Sequence, residues 1–277
     1  MCVILETIAA SSLARVKRAK ELQTQSALVQ LIEKQIELEP DKKKEFFSFE
    51  RAIQNQYSDM AFICEVKKAS PSKGVITESF PYINIAKEYE NAGASAISVL
   101  TEPEFFLGSD IYLREIKKEV KIPILRKDFT VDEYQIYEAK LLGADAILLI
   151  STLLNTQTLQ KYLTICKELG LSALVEAHTK EEIESALEAG AKIIGVNNRN
   201  LKTFEVDINN SVRLREYVPK EILFIAESGI RDFHDIQSLK QAGVNAVLIG
   251  ETLMRSPNKK EMLSELKGLS RQHTSSV

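Results

Sequence analysis

Four times the chain closes a helix-like stretch on glycine and then enters a short apolar run. These are Gly93-Ala94-Ser95-Ala96-Ile97, Gly143-Ala144-Asp145-Ala146-Ile147, Gly190-Ala191-Lys192-Ile193-Ile194 and Gly243-Val244-Asn245-Ala246-Val247. The glycines recur about every fifty residues, the length of two strand-helix units. Glycine takes the left-handed conformation that caps a helix, and the β-rich run behind it suits a strand covered on both faces. The spacing therefore predicts a parallel α/β array.

Strand-like runs alternate with helical ones from Met60 onward: Ala61–Glu65, Ala96–Leu100, Ile122–Arg126, Ala146–Ile150, Ser172–Val175, Ile193–Val196, Ile222–Ala226 and Val247–Ile249. Eight parallel strands are the number that closes a barrel. An open doubly wound sheet usually has fewer strands and carries a Gly-x-Gly-x-x-Gly turn, absent here. Asn155, Thr179 and Asp232 stand where N-caps of the intervening helices belong, and Glu182 follows Thr179 by three. Residues 1–56 differ, with Leu28, Leu31, Ile32 and Ile36 at helical spacing and no strand pattern. The predicted fold class is α/β, a single (β/α)8 TIM barrel over 57–277 with an N-terminal helical extension over 1–56. That extension ends in the charge run Asp41–Glu45, read as a solvated face, and the aromatic group Phe46, Phe47 and Phe49, expected on the barrel or at its mouth.

Composition narrows the partners. A net charge of −3 gives no electrostatic reason to expect DNA or RNA. The apolar runs are too short to span a bilayer, and Met1–Ala10 carries Glu6 with no basic cluster ahead of an apolar block, so a cytoplasmic chain without a membrane partner is expected. Cys2, Cys64 and Cys166 are scattered and odd in number, which argues for reduced structural thiols. His178, His234 and His273 are isolated, with His178 expected on the surface, so no metal site is predicted. Nucleotide-loop and Gly-x-Ser-x-Gly motifs are also missing.

In such a barrel the reactive groups stand at the carboxyl ends of the strands. Strand one runs through Glu65-Val66-Lys67, whose charged residues share a face at period two. Later strands end in Arg126-Lys127-Asp128, Glu176, Asn197-Asn198-Arg199 and Glu227-Ser228-Gly229. One such charge is as readily a structural ion pair as a reactive group, and Arg126 and Asp128 are read as structural. Several charges gathered at one mouth need mutual neutralisation or a ligand. Gly229 after the seventh strand, with Gly250 and Glu251 after the eighth, lets backbone N–H groups approach a phosphate. Ser70-Pro71-Ser72-Lys73-Gly74 is expected to be a flexible hydroxyl-rich loop. The expected ligand is a phosphorylated small molecule.

The run Glu65-Val66-Lys67-Lys68-Ala69-Ser70-Pro71-Ser72-Lys73-Gly74 resembles the first-strand motif of the indole-3-glycerol-phosphate synthase family. Ile124–Phe129, Leu174–Glu176, Gly195–Leu201 and Ala226–Ile230 match its later motifs in order. The resemblance covers nearly the whole chain and implies cofactor-free closure of an indole ring. In it, 1-(2-carboxyphenylamino)-1-deoxyribulose 5-phosphate loses carbon dioxide and water, a step of tryptophan biosynthesis. It implies Lys127 as general acid, Glu176 as its carboxylate partner and stabiliser of the cationic intermediate, Lys67 as binder of the substrate carboxylate and candidate second acid, Glu65 as base in dehydration, and Asn197 and Ser228 as groups orienting hydroxyls. Ser70, Arg199, Gly229, Gly250 and Glu251 would hold substrate and phosphate, in a monomer. Two rivals stand beside it. One is a phosphoribosylanthranilate isomerase-like barrel, which would use a cysteine and an aspartate, although Cys64 should point away from the mouth. The other is a non-catalytic scaffold built on the 1–56 arm.

Overall fold

A computed structural model describes residues 3–38, 46–55 and 60–269. Helices α1 (Val3–Leu22), α2 (Gln25–Leu38) and α3 (Ser48–Gln54) come first, then strand β1 (Ala61–Val66). Next comes an antiparallel hairpin, β2 (Ala69–Ser70) and β3 (Gly74–Val75), where a flexible loop was expected. Gly74 takes φ +63° at its turn, and the Ala69 amide donates to the Phe106 carbonyl, so the loop is tied at both its tip and its root.

The rest alternates: α4 (Tyr82–Asn91), β4 (Ala96–Leu100), α5 (Asp110–Glu119), β5 (Ile124–Lys127), α6 (Tyr134–Leu142), β6 (Ala146–Ile150), α7 (Thr156–Leu169), β7 (Ser172–Ala177), α8 (Lys180–Glu188), β8 (Ile193–Asn197), α9 (Asn209–Leu214), β9 (Leu223–Glu227), α10 (Phe233–Gln241), β10 (Ala246–Ile249), α11 (Glu251–Arg255) and α12 (Lys259–Leu266). β1 pairs with β4 on one side and β10 on the other, which closes an eight-stranded parallel barrel. The predicted strands match it to within a residue or two at their ends. Gly93, Gly143, Gly190 and Gly243 have φ between +82° and +91°, so the feature that predicted the array is a set of left-handed turns out of helices. Asn155, Thr179 and Asp232 each accept an amide hydrogen bond at the start of their helix.

Alternate strand residues face two cores. Ile63, Leu125, Leu148, Leu174, Ile225 and Leu248 fill the barrel interior, while Cys64, Ile97, Ile147, Val175 and Ile194 pack under the helices. The register places Leu100 beside Lys127, Ile150 beside Glu176 and Asn197 beside Glu227, which levels the carboxyl ends of the strands.

The arm touches both ends of this barrel. Phe49 and Ile53 of α3 join the interior core below Ala61 and Ile63, and the Glu50 amide donates to Ser172 Oγ at the start of β7, so α3 closes the floor. Phe49 thus packs on the barrel, away from the mouth. Leu5 of α1 joins the same core from the other end. Arg15 anchors α1 to Asp128 at 2.8 Å, and α2 lies on α6 through Leu28 and Tyr134. Leu28 and Ile32 are buried, but Leu31 is 46% exposed, because the contact with α6 covers a narrower stripe than the periodicity suggested. The charge run Asp41–Glu45, the boundary at 56/57, Cys2 and His273 lie outside the described residues. No helix among the described residues is long and apolar enough to cross a membrane.

Candidate active site

The carboxyl ends of the strands surround a cleft of about 530 Å³, into which Ile4, Leu5 and Ile8 of α1 also project. Its polar floor starts from strand alternation: Glu65, Lys127, Glu176, Asn197 and Glu227 each end an inward-facing row. Lys127 Nζ lies 2.6 Å from Glu227 Oε2 and 3.2 Å from Glu176 Oε2. Lys67 Nζ lies 2.5 Å from Glu65 Oε1, so the period-two pair is an ion pair at the mouth. Asn197 Nδ2 donates to Glu176 Oε1 at 3.4 Å. Two glycines make room for these carboxylates. A Cβ at Gly195 would overlap Glu227 Oε1, and one at Gly250 would overlap Glu65 Oε1 and press on Lys67 Nζ.

Three carboxylates face two ammonium groups here, an excess of one negative charge in a buried place. Burial disfavours the charge of Lys127, but Glu227, Glu176 and Glu65 outweigh it and raise its pKa far above that of an ordinary lysine. Burial pushes the Glu227 carboxyl up to about 7, against Lys127 and with help from Glu176 and Glu65. Burial would raise Glu176 too, yet Lys127, His178 and Asn197 hold it below the usual range. The excess charge is therefore relieved on Glu227, which carries a proton near neutrality. Glu227 was visible in sequence only as one more charged strand end. Its signal, a place in the motif Ala226-Glu227-Ser228-Gly229, is separable from its neighbours only by burial.

The rim beyond β10 is cationic. Glu251 stands among Arg255 at 3.1 Å, Arg199 at 3.7 Å and Lys73 at 3.8 Å, three cations to one carboxylate. Ser228 takes φ +68°, rare for a residue with a side chain, and Gly229 follows at +84°. Asn198 Nδ2 holds the Ser228 carbonyl at 3.1 Å, so the backbone strain is fixed beside the cleft. Phe106 and Phe129, with centroids 6.0 Å apart, form an apolar wall.

Every residue predicted for the site lines this one cleft: Glu65, Lys67, Ser70, Lys127, Glu176, Asn197, Arg199, Ser228, Gly229, Gly250 and Glu251. Arg126 and Asp128, read as structural, are both held in ion pairs, although Asp128 also lines the cleft. Arg126 is buried against Asp110 at 2.9 Å and Glu138 at 2.7 Å, and Asp128 is held by Arg15 and Thr101. His178 departs from expectation. It is largely buried beside Glu176, because it stands two residues beyond it and shares its face. Cys64 faces the outer core, and burial pushes its thiol up to about 12.

The family model described as indole-3-glycerol phosphate synthase matches residues 5–266. The chain belongs to that family. The indole-3-glycerol phosphate synthase of Ruminiclostridium cellulolyticum is 58% identical over 266 residues, covering 96% of this chain and 99% of that protein. That of Lachnoclostridium phytofermentans is 54% identical, covering 96% of this chain and all of the relative. The crystal structure of a 3-hexulose-6-phosphate synthase superposes with a TM-score of 0.63 at 14% identity, over 76% of this chain and 99% of that one, a likeness of fold. The indole-3-glycerol phosphate synthase family is one of decarboxylating lyases in tryptophan biosynthesis, and this chain carries that enzyme class.

Proposed function

We propose that the cleft closes the indole ring of 1-(2-carboxyphenylamino)-1-deoxyribulose 5-phosphate with its own side chains. The observation that carries this is Lys127, a protonated ammonium held between Glu176 and Glu227 at the carboxyl ends of three strands. Ring closure needs a proton at the ketone oxygen as the aromatic carbon attacks. Lys127 begins loaded with that proton. A substrate oxygen that displaces one carboxylate from Lys127 also removes part of what makes its proton hard to release, so the acid strengthens on binding.

Attack by the ring carbon leaves a cation, which Glu176 stabilises through its ionised carboxylate, and loss of carbon dioxide restores the ring. Lys67 binds the departing carboxylate and serves as the second acid. Glu65 takes a proton in the dehydration, and Glu227, with its pKa raised to about 7, is suited to exchange one in the same step. Asn197 and Ser228 orient the hydroxyls. Arg199 and the amides of Gly229, Gly250 and Glu251 take the phosphate, with Ser70 of the tied hairpin lining the same cleft. The Glu251 carboxylate would repel that group, and its part is to gather the cations.

All of these groups come from one chain, which supports a monomer as the working unit. Free buried thiols at Cys64 and Cys166 support a reducing, cytoplasmic setting. The position of Cys64 opposes the isomerase alternative. The chain contains no tryptophan. Indole fluorescence on mixing the protein with the carboxyphenylamino substrate is therefore read without a tryptophan background, and its absence under saturating substrate rejects the reaction.

A further inference from the structure

His178 is held from behind and aimed at the reactive carboxylate. Its Nδ1 lies 3.4 Å from Glu182 Oε2 and 3.5 Å from Thr152 Oγ1, while its backbone N–H donates to the same Glu182 oxygen at 2.6 Å. Glu182, on the first turn of α8, is itself fixed by Thr152 at 2.7 Å. On its far side the ring presents Nε2, buried and without a hydrogen-bond partner among the described residues, 3.6 Å from Glu176 Oε1. A small rotation of either side chain makes that a hydrogen bond. The charged groups facing the ring are Glu176 near the end of β7, Glu182 from α8 and Glu227 from β9, with Lys127 of β5 behind Glu176.

We propose that His178, clamped by Glu182, is a positioning residue whose imidazolium turns and charges the Glu176 carboxylate for its work beside Lys127. The reasoning rests on the tautomer. With Nδ1–H given to Glu182, a neutral ring would point the Nε2 lone pair at a carboxylate oxygen, which is repulsive. Only the doubly protonated ring donates on both sides. Burial works against that charge, but Glu182, Glu176 and Glu227 outweigh it and raise the imidazole above its ordinary value. The inference depends on Glu176 being the partner of Lys127.

The test uses the intact protein. His178→Ala should lower kcat by about tenfold with KM changed by less than about twofold. His178→Gln keeps a donor without a titrating charge, so it should recover part of the rate and lack the alkaline step expected of the parent profile. Glu182→Gln touches no substrate, yet it should move that step to lower pH, and the NMR titration of labelled His178 should move with it. Wild-type kcat in His178→Ala overturns the proposal. So does a Glu182→Gln profile that superimposes on the parent, or a His178 ring that titrates at or below its ordinary value. Lys127→Ala separates the two readings: if it is inactive while His178→Ala is unchanged, the positioning role alone falls, and if it turns over normally, the site itself is wrong.

Discussion

Lys127 sits where two carboxylates compete for one ammonium, and the consequences are local. Lys127→Ala removes the acid, and Glu176→Gln removes the charge that stabilises the cationic intermediate. Each should lose about 10²–10⁴ in kcat while the far-UV spectrum stays that of the parent. Turnover within about tenfold of the parent in either variant ends the assignment. Gly195 makes a subtler case. Its missing Cβ is the space in which Glu227 Oε1 lies, and Leu174 Cδ1 is 2.9 Å from the same point. Gly195→Ala should therefore displace the Glu227 carboxyl and depress kcat in a protein that still folds, whereas full activity would show that Glu227 has no fixed place. Lys67, Lys127 and Glu176 were legible in sequence because strand ends of a barrel share one face. The sequence could not separate Glu227 from them, since its role comes from charge excess and burial among residues far apart in the chain. His178 was legible in part, as the second residue beyond Glu176, but a lone histidine carries no local signal of burial, and its contacts with Glu182 and Thr152 come only from the fold.

The arm is the element with the least local signal. Its helices were readable from their spacing, but where they dock was not, because a 3.6-residue stripe says which face is buried and never against what. α3 ends as a stopper under the strands and α1 as part of the mouth. The two should separate in mutants. Phe49→Ala, at a fully buried position, should cost about 3–5 kcal/mol of unfolding free energy and leave KM nearly as it was. Leu5→Ala should raise KM as well as lower stability, since Leu5 lines the cleft. Urea titrations beside initial-rate kinetics distinguish them, and an unchanged KM in Leu5→Ala would remove α1 from the substrate's surroundings. The barrel itself was legible to within a residue or two, because left-handed glycines and buried apolar runs are strictly local signals. The hairpin over Ala69–Val75 was missed because its order comes from the Phe106 carbonyl, far along the chain.

At the scale of the molecule, the charge excess couples stability to pH. The Glu227 pKa is about 7 in the folded protein, against an ordinary 4.5. Between those values the native state keeps a proton that the unfolded chain has released, so this group's contribution is fully present at low pH and is lost as pH rises through about 7. Glu227→Gln has no such loss. It should melt higher than the parent above neutrality, by an amount worth at most a few kcal/mol, and the advantage should shrink toward pH 5. Melting curves with the same offset at every pH would contradict the assignment of the proton to Glu227.

The same imbalance bears on ligand capture. Above about pH 7, once Glu227 has released its proton, a surplus anion at the bottom of the pocket faces a rim with a surplus of two cations, so an elongated molecule with a phosphate at one end meets opposite fields at its two ends and enters in a single direction. Its carboxylate then arrives where negative charge is already in excess, and the molecule should draw a hydrogen ion from solution as it docks. Calorimetry of inert analogue binding in buffers of differing ionisation heat would register this uptake above about pH 7, and enthalpies independent of the buffer would show that no such ion is taken up.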